Sequence, residues 1–201
     1  MISYLEWSAN AVFVISVLLA ARNNVNTWWT GIIGCGLFAV LFYEVNLYAD
    51  VTLMLFFILT SLYGWKYWGA RKPLHPIKRT DTASLLSFVG AAVIATGVYG
   101  WLLYETTNAY APFIDSIVLM FSVLAQFFLM KRRLETWVCW LMVDTVAVPL
   151  YASRELYLTA FVYGFFWCNA WYGLYSWIKI YRSDSVGENA WQKSPLSADS
   201  L

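Results

Sequence analysis

Seven long apolar runs, separated by short polar breaks, organise the chain near residues 4–21, 28–43, 48–68, 84–104, 113–130, 136–152 and 156–178. Each is long enough to cross roughly 30 Å of hydrocarbon as a helix. The pattern predicts an all-α polytopic membrane protein with seven transmembrane helices. The first run does not read as a cleaved signal: Glu6 rather than a basic cluster precedes it, and no small-residue cleavage site follows before the next run. Past the last run, SDSVGENAWQKSPLSADSL reads as a disordered tail over 183–201. The seven-span domain then occupies 1–182.

Composition agrees with this pattern. Of 201 residues, 61% are hydrophobic and 12% charged, against about 25% charged in soluble domains. Net charge is +1, so no broad basic surface points to a nucleic-acid partner. The loop charges add orientation. Assigning Lys and Arg alternately to the two sides puts 12 on one side, with Arg154 alone on the other. The positive-inside rule then predicts an outside N-terminus and a cytoplasmic C-terminus. Cys35, Cys139 and Cys168 fall inside runs without metal-ligand spacing and read as packed thiols. His75, the single histidine, lies in a loop without ligand partners, so no metal or other cofactor is expected.

Self-comparison exposes a repeat at an offset of 109 residues. Thr27-Trp28 falls on Thr136-Trp137, Leu47-Tyr48 on Leu156-Tyr157, and Phe56-Phe57 on Phe165-Phe166. Tyr63-Gly64 falls on Tyr172-Gly173, and Trp68 on Trp177. The repeat pairs the triplet 4–68 with the triplet 113–178 and leaves 84–104 as a connector. Triplets that start four spans apart enter the membrane in the same direction, which predicts a parallel 3+1+3 repeat. Substrate sites in repeated transporters lie near the midplane between halves, so polar residues at mid-depth are the candidates.

Asp144 stands out among the carboxylates, most of which sit at run ends or in loops. It lies halfway along a run, where a lone aspartate costs roughly 2.5–3.5 kcal/mol on insertion scales. Trp137, Trp140 and Asp144 follow i, i+3, i+7 spacing and share a helical face. Indole faces and a carboxylate both attract cations, so the stripe suits a flat, positively charged ring. The plain alternative is an Asp144 that is protonated or accepts hydrogen bonds from neighbouring Tyr or Trp. Pro149, further along, leaves the Thr145 carbonyl without its helical donor. The matching first-half positions are Trp28, Gly31 and Cys35, so one half offers space where the other offers chemistry. Gln126 and Asn169 are the other mid-depth polar residues, and their amides suit either ligand recognition or helix–helix bonding. The runs Tyr63–Trp68 and Tyr172–Trp177 read as interfacial aromatic belts.

The stretches LYADVTLMLFFILTSLYGWKYW and KRRLETWVCWLMVD, and the PLY–ELYLTAFVY run, resemble the PnuC family of bacterial vitamin transporters over about residues 20–180. The resemblance implies a SWEET-like fold and facilitated diffusion of a water-soluble vitamin precursor across the inner membrane. It also implies trapping by a cytoplasmic kinase, and a homotrimer. Nicotinamide riboside is the substrate it favours, and thiamine the alternative. Positions resembling Gly34, Met54, Ser61 and Asp144 carry Asn, Gln, Asn and Asn in some nicotinamide riboside members, and this chain departs from all four. By resemblance and position, the expected substrate-binding residues are Asp144, Trp140, Trp137, Gln126 and Asn169.

Other classes fit less well. A retinal protein needs a lysine near the middle of the seventh run, and 156–178 contains none. A membrane hydrolase needs a nucleophile–base pair, yet the chain has no GxSxG elbow, no HExxH and no histidine inside a run. No GxxxxGK[ST] loop suggests ATP drive.

Overall fold

In a medium without water, every backbone N–H and C=O must find an internal partner, and a helix satisfies this within one segment. The apolar runs fold accordingly. The computed structural model describes residues 2–44, 48–69, 76–106, 111–153, 155 and 157–192. Among the described residues there are seven helices and no strand: α1 (Ile2–Ala21), α2 (Thr27–Glu44), α3 (Tyr48–Gly69), α4 (Thr82–Thr106), α5 (Pro112–Met130), α6 (Glu135–Ser153) and α7 (Tyr157–Gln192). Thirteen of the fourteen ends fall within two residues of the expected boundaries.

Two expectations change. α7 does not stop near residue 178 but continues to Gln192, so the tail expected to be disordered begins as helix. No proline interrupts it before Pro195, and helix, once formed, propagates cheaply. Second, the seven runs are not equivalent. α1 (over Tyr4–Ala21), α4, α5 and α6 are long and apolar enough to cross a membrane, and α2 has a shorter apolar stretch over Thr27–Leu41. α3 carries both Asp50 and Lys66, and α7 runs into a charged stretch with Lys179, Arg182, Asp184 and Glu188. His75, Arg71, Lys72, Arg154 and Lys193 lie outside the described residues.

Neighbour contacts run α1–α2–α3–α5–α6–α7 and back to α1, while α4 packs on α5 outside this ring. A shift of 109 positions carries α1–α2–α3 onto α5–α6–α7 and exchanges the two seams, α3·α5 and α7·α1. The correspondence extends to single hydrogen bonds. Asn23 N donates to Ala20 O at 2.9 Å and Arg132 N to Leu129 O at 3.0 Å; Asn24 N donates to Leu19 O at 2.9 Å and Arg133 N to Phe128 O at 2.8 Å. Asn23 and Arg132 both adopt left-handed backbone, with φ of 56° and 54°. Thr27 Oγ1 donates to Ser16 O and Thr136 Oγ1 to Ala125 O, each at 2.8 Å.

Every Lys and Arg among the described residues lies at the end where α1, α3 and α5 finish, or beyond it on α7. Residues 76–81 cross this basic end and bind the α5–α6 turn. Lys78 N donates to Arg132 O at 3.1 Å, and Leu134 N to Lys78 O at 3.0 Å. Arg133 Nη1 donates to Arg79 O at 2.9 Å. Thr80 donates through N and Oγ1 to the buried Glu135 carboxylate at 3.1 and 3.0 Å. Asp81 caps α4 by accepting from Ser84 N at 2.9 Å.

Candidate functional site

The interior of the ring is layered. At the basic end, Trp28, Trp68, Trp137 and Trp177 form one buried cluster with Ala20, Ala21, Leu129 and Met130. Trp28 meets Trp68 edge to face at 5.1 Å, and Trp137 meets Trp177 the same way at 5.5 Å. These are repeat mates. Each second-helix tryptophan lies flat against a glycine: a Cβ on Gly64 would stand 2.6 Å from Trp28, and one on Gly173 would stand 2.6 Å from Trp137. Trp68 and Trp177 are fully buried rather than interfacial, which corrects the belt reading for these two residues.

On the other side of mid-depth, a chain of rings joins the two halves. Tyr151 packs on Tyr163 at 4.9 Å, Tyr163 on Phe166 at 5.8 Å, Phe166 on Phe13 at 6.1 Å, and Phe13 on Phe38 at 5.9 Å.

Between these layers lie four of the five expected site residues. Asp144 is 2% exposed halfway along α6, with Tyr163 and its ring partner Tyr151 nearby. Trp140 stands one turn nearer the basic end, partly buried against both core clusters. Its first-half mate is Gly31, where an added Cβ would lie 3.2 Å from Ser16 Oγ and 3.7 Å from Ser61 Oγ. Cys35, the mate of Asp144, is 2% exposed. Gly31 thus faces Ser16 and Ser61 of its own half.

Gln126 and Asn169 occupy the same depth at the two seams. Gln126 Nε2 donates to Thr60 Oγ1 at 3.4 Å across α5·α3. Asn169 Nδ2 donates to Val17 O at 3.1 Å across α7·α1. Among the described residues, no hydrogen bond joins either amide to Asp144. Trp137 shares the helical face of Asp144 but lies seven residues away, about 10 Å along the axis. It belongs to the basic-end cluster, so the structure does not bring it to the Asp144 layer.

One turn before Pro149, Thr145 Oγ1 donates back to Leu141 O at 2.6 Å and accepts from Trp167 Nε1 at 3.1 Å. The layer offers one buried carboxyl group, a phenol and an indole face. Such a set holds a cation or a hydrogen-bond donor on a flat ring.

Three residues carry more than their sequence signal suggested. Tyr163 lies inside the seventh run, where nothing in the sequence singles it out. Glu135 reads as a solvated helix start, yet it is buried beneath the linker. Arg132 reads as one charge in a basic loop. Its repeat offset, onto Asn23, was the available signal, because Asn tolerates the left-handed backbone that Arg must share there.

A family model described as nicotinamide mononucleotide transporter matches residues 3–179. The chain belongs to this family. It is therefore a transporter and not an enzyme. The chain is 22% identical to the nicotinamide riboside transporter PnuC of Escherichia coli K12, over 90% of this chain and 87% of that protein. It is 24% identical to PnuC of Neisseria mucosa, over 91% and 75%. It is also 23% identical to the riboflavin/roseoflavin transporter RibM of Streptomyces davaonensis, over 90% and 89%. A crystal structure of the vitamin B3 transporter PnuC superposes with a TM-score of 0.73 at 22% identity, covering 90% of this chain and 83% of that one. The fold of the family is thus shared at low identity.

Proposed function

We propose that this transporter takes up nicotinamide riboside by facilitated diffusion across a bacterial inner membrane, with a cytoplasmic kinase trapping the vitamin by phosphorylation. The observation that carries the reading is the buried Asp144 between two aromatic layers, one turn from Trp140. A charged carboxylate in this setting needs a counter-charge, and the pyridinium ring of nicotinamide riboside supplies one that is also flat. The names of the PnuC relatives support the same substrate.

Thiamine is the second reading, because its thiazolium ring satisfies Asp144 by the same chemistry. Riboflavin, neutral and larger, leaves the carboxylate unmatched. In this proposal all seven helices span the bilayer as a SWEET-like parallel 3+1+3 repeat. The N-terminus lies outside, the basic end faces the cytoplasm, and the assembly is a homotrimer. The matching hydrogen bonds at an offset of 109 support the repeat, and the one-sided distribution of Lys and Arg supports the orientation.

Titration of the purified protein with nicotinamide riboside, thiamine and riboflavin, followed by quenching of tryptophan fluorescence, tests the reading. Micromolar binding of nicotinamide riboside is expected. Binding of none of the three at micromolar levels rejects the vitamin assignment.

A further inference from the structure

Arg132 lies where both halves meet at the basic end. Its side chain is 2% exposed, with Cζ 4.7 Å from the centre of Trp68 and 5.9 Å from that of Trp177. Nε and Nη1 are buried without a hydrogen-bond acceptor. Burial pulls its pKa down to about 10 while Asp184 and Tyr67 pull it up, so the guanidinium stays charged at neutral pH. The ring contacts recover only part of the cost of removing such a group from water. Its left-handed backbone adds strain, and strain of this kind is retained at switching elements.

The surrounding contacts hold the halves together. Trp68 and Trp177 meet at 5.9 Å, α3 of one half against α7 of the other. Trp68 Nε1 donates to Met130 O at 3.2 Å and Trp177 Nε1 to Ala20 O at 3.3 Å, so each indole ties its helix to the opposite half. Ile77 from the linker is buried in the same cluster. Together they close the basic end of the ring beneath the layer of Asp144 and Trp140.

We propose that the Trp68–Trp177 pair and Arg132 form the gate at the basic end, held shut by two indole–carbonyl bonds and biased toward opening by the buried guanidinium. This rests on the transport function proposed above, since a polar solute leaving between the halves must part α3 from α7. When they part, Nε and Nη1 of Arg132 gain water. The two components therefore act in opposite directions on one equilibrium.

The test is ligand-free. Spin labels at Lys66→Cys and Tyr175→Cys, exposed repeat mates on α3 and α7, are placed in the full chain carrying Cys35→Ala, Cys139→Ala and Cys168→Ser. Distances are then measured in lipid nanodiscs by pulsed electron spin resonance. Trp68→Phe with Trp177→Phe removes both indole bonds and keeps the rings; the longer-distance population is expected to grow about fivefold. Single Trp177→Phe shifts it in the same direction by less, and serves if the double variant does not insert. Arg132→Met removes the buried charge and is expected to deplete that population. Unchanged distributions, or an Arg132→Met shift in the direction of the Phe variants, overturn the gate. Because no vitamin is present, failure here is distinct from failure of the binding titration.

Discussion

Asn169 on α7 donates to the carbonyl of Val17 on α1 at 3.1 Å, and this pair is the repeat mate of Gln126 and Thr60 across the other seam. Interhelical bonds of this type contribute about 0.6 kcal/mol on average in membrane bundles. Asn169→Ala is expected to lower stability by about that amount, read as a lower unfolding temperature in detergent. Gln126→Ala is expected to do less, since its bond is longer at 3.4 Å.

The glycine–indole contacts make a sharper prediction. Alanine at Gly64 or Gly173 places a methyl 2.6 Å from Trp28 or Trp137, so a helix or a ring must move. Overpacking costs about 1–3 kcal/mol, and the two variants should be destabilised alike. Gly36→Ala, with open space around its Cβ, should leave the melting curve unchanged. Equal behaviour of all three would reject the packing account.

Asp144 separates binding from folding. Asp144→Ala relieves a mid-depth carboxylate, so membrane insertion should be normal. Affinity for nicotinamide riboside should fall about tenfold or more, about 1.4 kcal/mol per decade. Asp144→Asn, which installs the amide that some nicotinamide riboside members carry there by resemblance, should lose less than Asp144→Ala, whereas unchanged affinity in Asp144→Ala would make Asp144 a structural acceptor only.

At the start of α4, hydrogen bonds from Ser84 hold the Asp81 carboxyl below its ordinary value of 3.8. A depressed carboxyl pKa stabilises the folded state above the ordinary value, and that contribution is lost as pH falls through the lowered one. Deuterium exchange in the first turn of α4 should therefore accelerate under acid in the native chain. Asp81→Ala should show the faster exchange already at neutral pH and respond little to acid, while Asp81→Asn should stay protected.

The sequence carried the seven helices, and shows an internal offset, because both lie in local pattern. A bilayer leaves an apolar run little choice but helix, and an offset of 109 survives as paired dipeptides such as Tyr63-Gly64 and Tyr172-Gly173. Depth along a helix was less legible. Trp137 and Asp144 share a face, but a face says nothing about which neighbours lie at each level, and Gly173 receives Trp137 well below the Asp144 layer. The burial of Trp68, Trp177 and Arg132 was hidden for a related reason. Aromatic and basic residues at a run's end also describe an ordinary membrane interface, and only the ring of helices turns these three inward.

The two seams also show what each half brings to the other. Each seam pairs a third-helix residue, Thr60 or Asn169, with a first-helix residue of the opposite half, Gln126 or Val17. Two copies of the first half would set Thr60 against Val17 twice, and no amide would cross either interface. Two copies of the second would set Asn169 against Gln126 twice, crowding both interfaces with amides. Only the mixed pairing gives each interface a single amide, so the two seams of the chain are alike in position and different in chemistry.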